Sequence, residues 1–272
     1  MSIVSTDWLI DNLDKVKIID SSWHLPNQKR NPKKEYYNEH IKNSIFFDID
    51  KNSNQETDLP HMLPSVKMWE DIVSNLGISN KDKIIIYDNS DLISSCRCWY
   101  TFRYFGHNPS LVSVLDGGLK KWKQEGKPTV NFETVFNKTS YKAIENKKMV
   151  KSKIEIDKNI KLKDFKIVDA RSYDRFKGMV PELRPNLKSG SIEGSSCLPF
   201  TQIVNKHNNT FKNNVELNQI FNEVINTQDN NIVFSCGSGV TASVLALAYS
   251  LINNKYTPTI YDGSWSEYGL IK

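Results

Sequence analysis

The 272-residue sequence predicts an α/β protein of two tandem, related domains, each a mostly parallel sheet with helices on both faces. Three observations lead there. The chain repeats itself. Each half holds short, continuous apolar runs of the kind that form strands buried on both faces. Amphipathic helices separate those runs, and alternating strands and helices argue for a parallel sheet covered on both sides.

The repeat is the strongest of these signals. Lys17-Ile18-Ile19-Asp20 returns as Lys166-Ile167-Val168-Asp169. Ile84-Ile85-Ile86-Tyr87-Asp88 aligns with Ile232-Val233-Phe234-Ser235-Cys236 when Asp88 stands opposite Cys236, and Asp116-Gly117-Gly118 returns as Asp262-Gly263-Ser264. The offsets of 149, 148 and 146 residues are nearly constant and in one order. A period this long means two domains rather than a solenoid. Domain boundaries follow at 1–126 and 147–272. The polar, weakly periodic stretch 127–146, with Pro128, reads as the linker.

Individual elements follow from periodicity. In Ser65–Leu76 the residues Met68, Trp69, Ile72, Val73 and Leu76 fall on one helical face; Ser65 suits the cap and Gly77 the stop. Leu217, Ile220, Phe221, Val224 and Ile225 repeat that face in the second half. A helix should run from Cys96 through about Phe105, with Gly106 ending it. Another should follow Gly239 through about Leu251.

Composition narrows the function classes. Hydrophobic residues at 39% and charged residues at 25% suit a globular chain. No apolar run is long enough to span a bilayer. The start lacks a basic region followed by an apolar core, so no signal peptide is expected. Four cysteines without an export signal imply reduced thiols and a cytoplasmic location. The net charge of +5 is mild, and Lys29-Arg30-Asn31-Pro32-Lys33-Lys34 reads as a solvated loop, since no nucleic-acid motif accompanies it. Cys96-Arg97-Cys98 has the wrong spacing for zinc. No metal or cofactor is expected, and Cys96, Cys98 and Cys197 read as packing residues.

The segment with chemistry in it is Ile232-Val233-Phe234-Ser235-Cys236-Gly237-Ser238-Gly239-Val240-Thr241. An apolar strand ends in a cysteine, a Gly-X-Gly loop curls after it, and a helix begins. Glycines leave room for backbone N–H groups to point inward, and the helix N-terminus favours an anion there. That anion would be the Cys236 thiolate or its persulfide. The residues alone also allow a buried cysteine that merely ends a strand. Phosphate chemistry is disfavoured: a cysteine phosphatase needs an arginine six positions on, and Ala242 stands there.

Cys236-Gly237-Ser238-Gly239-Val240-Thr241 resembles the active-site loop of the rhodanese family, in its mercaptopyruvate branch. Further matches are His40–Asp50, His61-Met62-Leu63-Pro64 and Asp116-Gly117-Gly118-Leu119 in the first half. Asp169-Ala170-Arg171, Arg175-Phe176-Lys177-Gly178 and Tyr261–Trp265 match in the second. The resemblance implies two rhodanese-like domains and a sulfurtransferase that carries sulfur from 3-mercaptopyruvate on Cys236 to a thiol, a thioredoxin-like reductant or cyanide. Asp88 would make the first copy inert. The resemblance assigns substrate binding to Arg175 and Arg184, with the loop residues Gly237, Gly239, Val240 and Thr241. It assigns a hydroxyl–imidazole–carboxylate relay to Ser238, His61 and Asp50, which places the site where the two domains meet.

The loop carries no charged side chain. Thiosulfate sulfurtransferases of the family that the chain resembles typically place basic side chains there, which suit a doubly charged donor, so the resemblance implies mercaptopyruvate. A thiosulfate sulfurtransferase, or a non-catalytic module that senses persulfide or oxidant through Cys236, remain the alternatives. In the second half Ser191 departs from the family pattern by standing where a histidine is usual.

Overall fold

The computed structural model describes residues 2–271, and the chain divides into two compact units. Unit 1 comprises Met1–Gln55, Leu63–Asn146 and Lys206–Thr210; unit 2 comprises Glu56–Met62, Lys147–Asn205 and Phe211–Lys272. Each is therefore completed by a short segment from elsewhere in the sequence.

Unit 1 holds the strands β1 (Ile3–Val4), β2 (Lys17–Asp20), β3 (Ser44–Phe46), β4 (Ile84–Tyr87) and β5 (Val112–Leu115). Its helices are α1 (Thr6–Ile10), α2 (Pro32–Asn38), α3 (Val66–Asn75), α4 (Ser95–Tyr104) and α5 (Gly118–Gln124). The strands form one sheet in the order β1-β5-β4-β2-β3, every pairing parallel. On one face Ile18, Ile85 and Leu115 pack with Leu9 of α1 and with Leu119 and Trp122 of α5. Strand side chains alternate, so Ile19 and Ile86 point the other way. There α4 packs on β4 and β5, and Trp69 of α3 stacks on Phe105 and meets Phe102 edge-on.

The expected helix caps are present. Ser65 accepts the Met68 N–H, and Gly77, at φ +69°, takes the left-handed turn that ends the α3 segment. The basic cluster differs from expectation: α2 begins within it. Pro32 suits a first helical turn, whose N–H groups need no intrahelical partner, and Asn31 caps by accepting the Lys34 N–H at 2.9 Å. Lys29, Lys33 and Lys34 are exposed as expected, while Arg30 is half-buried and pairs with Glu35. Residues 127–146 run along unit 1: His40 and Val130 exchange backbone hydrogen bonds, and the Thr139 N–H donates to Ser74 O.

Unit 2 repeats the plan. Its strands are β6 (Val150–Lys151), β7 (Lys166–Asp169), β8 (Ser196–Cys197), β9 (Ile232–Ser235) and β10 (Ile260–Tyr261). The helices are α6 (Lys153–Leu162), α7 (Tyr173–Phe176), α8 (Asn214–Asn222), α9 (Val240–Ile252) and α10 (Ser264–Tyr268). The sheet order β6-β10-β9-β7-β8, again parallel, matches unit 1 strand for strand. Registers match too: Lys17 opposes Ile84 as Lys166 opposes Ile232. Ile156, Ile167, Val233, Tyr261 and Trp265 form one core cluster. Phe221 of α8, Tyr249 of α9, Phe234 and Tyr256 form an aromatic cluster of their own. Among the described residues no helix is long and apolar enough to cross a membrane.

Candidate active site

In unit 2, β9 ends at Ser235 and α9 starts at Val240, so Cys236–Gly239 is the whole connection. Cys236 is 2% exposed, and its Sγ accepts the Gly239 N–H at 3.1 Å. Gly239 has φ +82°, a left-handed backbone that a side chain disfavours. This turn aims its N–H back at sulfur and sets the amino end of the 13-residue helix α9 beside it. Val240 is the first residue of α9 and buried; Thr241, the second, is half-buried.

The turn at the start of α10 holds the loop from behind. The Cys236 N–H donates to Ser264 Oγ at 3.2 Å, and the Trp265 N–H donates to Cys236 O at 2.9 Å. Ser266 donates to Gly237 O twice, from its N–H at 2.8 Å and its hydroxyl at 2.6 Å. Ser264 is fully buried at φ +48°, a conformation costly for a side-chain-bearing residue. Its hydroxyl also donates to Tyr261 O, which locks that turn.

Gly237 is the point of the loop that the arginines approach. A methyl group there would stand 3.4 Å from Arg175 Nη2 and 3.9 Å from Arg184 Nη1. Both guanidiniums therefore face the loop. Arg175 lies on α7 and Arg184 on the following segment. Ser238 Oγ lies 2.9 Å from His61 Nδ1, both residues being buried. His61 belongs to unit 2 and has φ +61°. Asp50 belongs to unit 1, where each carboxylate oxygen accepts the Trp23 Nε1–H at 3.0 Å.

Glu182 emerges only from the structure. Its side chain is 2% exposed, and it binds Arg171 Nη1 at 2.6 Å and Arg175 Nη2 at 2.5 Å. Arg171 in turn grips Asp169, with Nη2–Oδ2 at 2.7 Å. Burial works against the Arg171 charge, but Asp169 and Glu182 outweigh it and hold its pKa above the ordinary value. Glu182 lies between Arg175 and Arg184 in the sequence, where an acid reads as surface charge. Nothing in spacing alone marks it as buried. Ser264 and Ser266 lie within or beside a matched motif, yet their grip on the loop is visible only in three dimensions.

Unit 1 has a counterpart. Asp88 follows β4 as Cys236 follows β9. Its carboxylate accepts the N–H of Ser90 in the following loop and that of Ser95, the first residue of α4, each at 2.8 Å. A fixed carboxylate thus occupies the place that sulfur occupies in unit 2. Burial raises the Asp88 pKa. The remaining thiols are buried; burial pushes Cys197 up to about 12, and Cys96 and Cys98 also upward. Among the described residues no group of three or more His, Cys, Asp or Glu is placed to hold a metal.

The rhodanese-like domain model matches residues 5–125 and 152–270. A mitochondrial thiosulfate/3-mercaptopyruvate sulfurtransferase of Arabidopsis thaliana is 37% identical over 98% of this chain and 75% of its own length. The mouse 3-mercaptopyruvate sulfurtransferase is 34% identical over 98% and 91%. The crystal structure of SseA from Escherichia coli, a 3-mercaptopyruvate sulfotransferase, superposes with a TM-score of 0.86 at 33% identity, covering 98% of this chain and all of that one. Two matched halves of one sheet order, with the cysteine loop in the second, make this chain a member of the rhodanese family with two rhodanese-like domains.

Proposed function

We propose that this protein is a sulfurtransferase that takes sulfur from 3-mercaptopyruvate onto Cys236 and passes it to a thiol or to cyanide. The observation that carries the reading is the single loop in which Cys236 Sγ meets the Gly239 N–H while Arg175 and Arg184 face Gly237. A nucleophile, an anion cradle and paired carboxylate-binding groups then meet at one loop.

The donor carboxylate pairs with Arg175 and Arg184, because a guanidinium offers two parallel N–H donors. The Cys236 thiolate attacks the donor sulfur, and the C–S bonding pair moves to carbon as pyruvate enolate. A proton delivered through His61 and Ser238 converts the enolate to pyruvate. The persulfide remains on Cys236, held by the N–H groups of the Gly237–Thr241 turn. An acceptor thiolate then attacks the outer sulfur, the S–S bond breaks, and the Cys236 thiolate returns. Two half-reactions through one covalent intermediate give ping-pong kinetics. Asp50, the acid that the family resemblance assigns to the relay, is tested separately by Asp50→Asn.

The N-terminal copy, residues 1–126, is proposed to be inert, since Asp88 fills the place of the sulfur atom. A small thiol or a thioredoxin-like reductant is the proposed acceptor. A cytoplasmic location is likewise proposed from cysteine usage; cell fractionation tests it, and the mitochondrial Arabidopsis relative names the competing compartment. Thiosulfate stays as a second donor because the name of that relative carries both substrates.

The test is a parallel assay with mercaptopyruvate and thiosulfate as donors and dithiothreitol or cyanide as acceptors. Preference for mercaptopyruvate, abolished in Cys236→Ser, is expected. Activity surviving in folded Cys236→Ser would remove Cys236 from the reaction.

A further inference from the structure

Behind the loop lies a row of alternating charges: Asp169, Arg171, Glu182, Arg175. Arg171 contacts Asp169 through Nε (3.1 and 3.0 Å) and Nη2 (2.7 Å), and Glu182 joins Arg171 to Arg175 at 2.6 and 2.5 Å. The side chains of Asp169, Arg171 and Glu182 are 1–2% exposed, so water screens them little. Two carboxylates and two guanidiniums sum to zero. Only the last member, Arg175, is partly exposed, at 21%, and its Nη2 is the atom nearest to Gly237.

Arg175 therefore meets the donor as a fork of N–H groups whose charge is already balanced from behind. Such a group binds a carboxylate by directed hydrogen bonds but adds little attraction for a second negative charge. We propose that Glu182 sets the charge of the donor that this site accepts, favouring a singly charged donor over a doubly charged one. The inference rests on Arg175 binding the donor, as in the reading above, and assigns Glu182 a specificity role that does not touch substrate.

A pair of donors isolates charge from the rest of the chemistry. Methanethiosulfonate and thiosulfate both give up an outer sulfur to a thiolate. In each case the donor S–S bond breaks, the Cys236 persulfide forms, and methanesulfinate or sulfite leaves with the bonding pair. The first donor carries one negative charge and the second carries two. The wild-type protein should show the higher kcat/KM with methanethiosulfonate at low ionic strength. In Glu182→Gln, which keeps the shape and removes the charge, the thiosulfate:methanethiosulfonate ratio should rise about tenfold, the effect of one extra charge at short range. Glu182→Asp, which keeps the charge, should retain the wild-type ratio.

An unchanged ratio in folded Glu182→Gln, with both donors slowed alike, would reduce Glu182 to a structural residue and overturn the proposal. So would a wild-type preference for thiosulfate, a comparison that needs no variant to fold. Lack of turnover with mercaptopyruvate would overturn the donor reading alone, and the ratio for the two sulfur donors would still decide the role of Glu182.

Discussion

Cys236 Sγ accepts the N–H of Gly239 at 3.1 Å, three residues ahead in the same loop. This contact joins the nucleophile to the start of α9, and its two flanking glycines serve different ends. Gly239 is needed for its left-handed backbone, whereas Gly237 borders Arg175, where a methyl group would make ordinary contact.

The two glycines should therefore respond differently to alanine. Gly239→Ala forces a side chain into the left-handed region at a cost of about 1–2 kcal/mol, so both melting temperature and activity should fall. Gly237→Ala adds a methyl group at ordinary contact distance from Arg175 and should leave stability within about 0.5 kcal/mol. It should raise the KM for mercaptopyruvate. Thermal melts beside steady-state kinetics separate the two, and equal losses of stability would contradict the distinction.

Arg175→Ala and Arg184→Ala should each weaken the donor step. A hydrogen bond to a charged group contributes about 1.5–3 kcal/mol, or roughly 10- to 100-fold in kcat/KM. The rate of the acceptor half-reaction, measured from preformed persulfide, should stay unchanged. A matching fall in that second step would place the arginines outside donor binding.

His61 Nδ1 and Ser238 Oγ, 2.9 Å apart, should act as a unit. His61→Ala and Ser238→Ala should each lower kcat by about 100-fold, the low end for a positioned proton donor. The double variant should be little worse than either single one. Additive losses in this cycle would show that the two side chains work independently.

Asp20 gives a pH dependence to unit 1. It is the buried last residue of β2, and that burial pushes its carboxyl up to about 6. A raised carboxyl stabilises the fold when protonated. The contribution is fully present below the unfolded value of about 3.9 and is lost as pH rises through about 6. A shift of about two units corresponds to roughly 3 kcal/mol. Asp20→Asn, which stays neutral, should gain stability over wild type between pH 4 and 7.5. Denaturant melts across that range test this, and a pH-independent difference would contradict it.

Much of the fold is legible in the sequence because the halves share landmarks. Lys17–Asp20 and Lys166–Asp169 occupy equivalent central strands, and their registers agree. The cysteine loop is legible for the same local reason: strand, Gly-X-Gly and helix adjoin in sequence, so spacing reports geometry. Glu182 is not legible. Its role depends on Arg171 and Arg175 converging on it across a loop, and an acid between two arginines reads as surface charge. Nor does the chain order show that Glu56–Met62 folds with unit 2 and Lys206–Thr210 with unit 1. These assignments come from tertiary contacts that no local pattern encodes.

The central claim is that sulfur resides on Cys236. The most direct measurement is intact-protein and peptide mass spectrometry after mixing with mercaptopyruvate and no acceptor, alongside the pyruvate released. The account predicts one added sulfur atom per chain, on the peptide bearing Cys236 and on none bearing Cys96, Cys98 or Cys197, with one pyruvate formed for each. Pyruvate formed without sulfur on Cys236, or sulfur found on another cysteine, would contradict it.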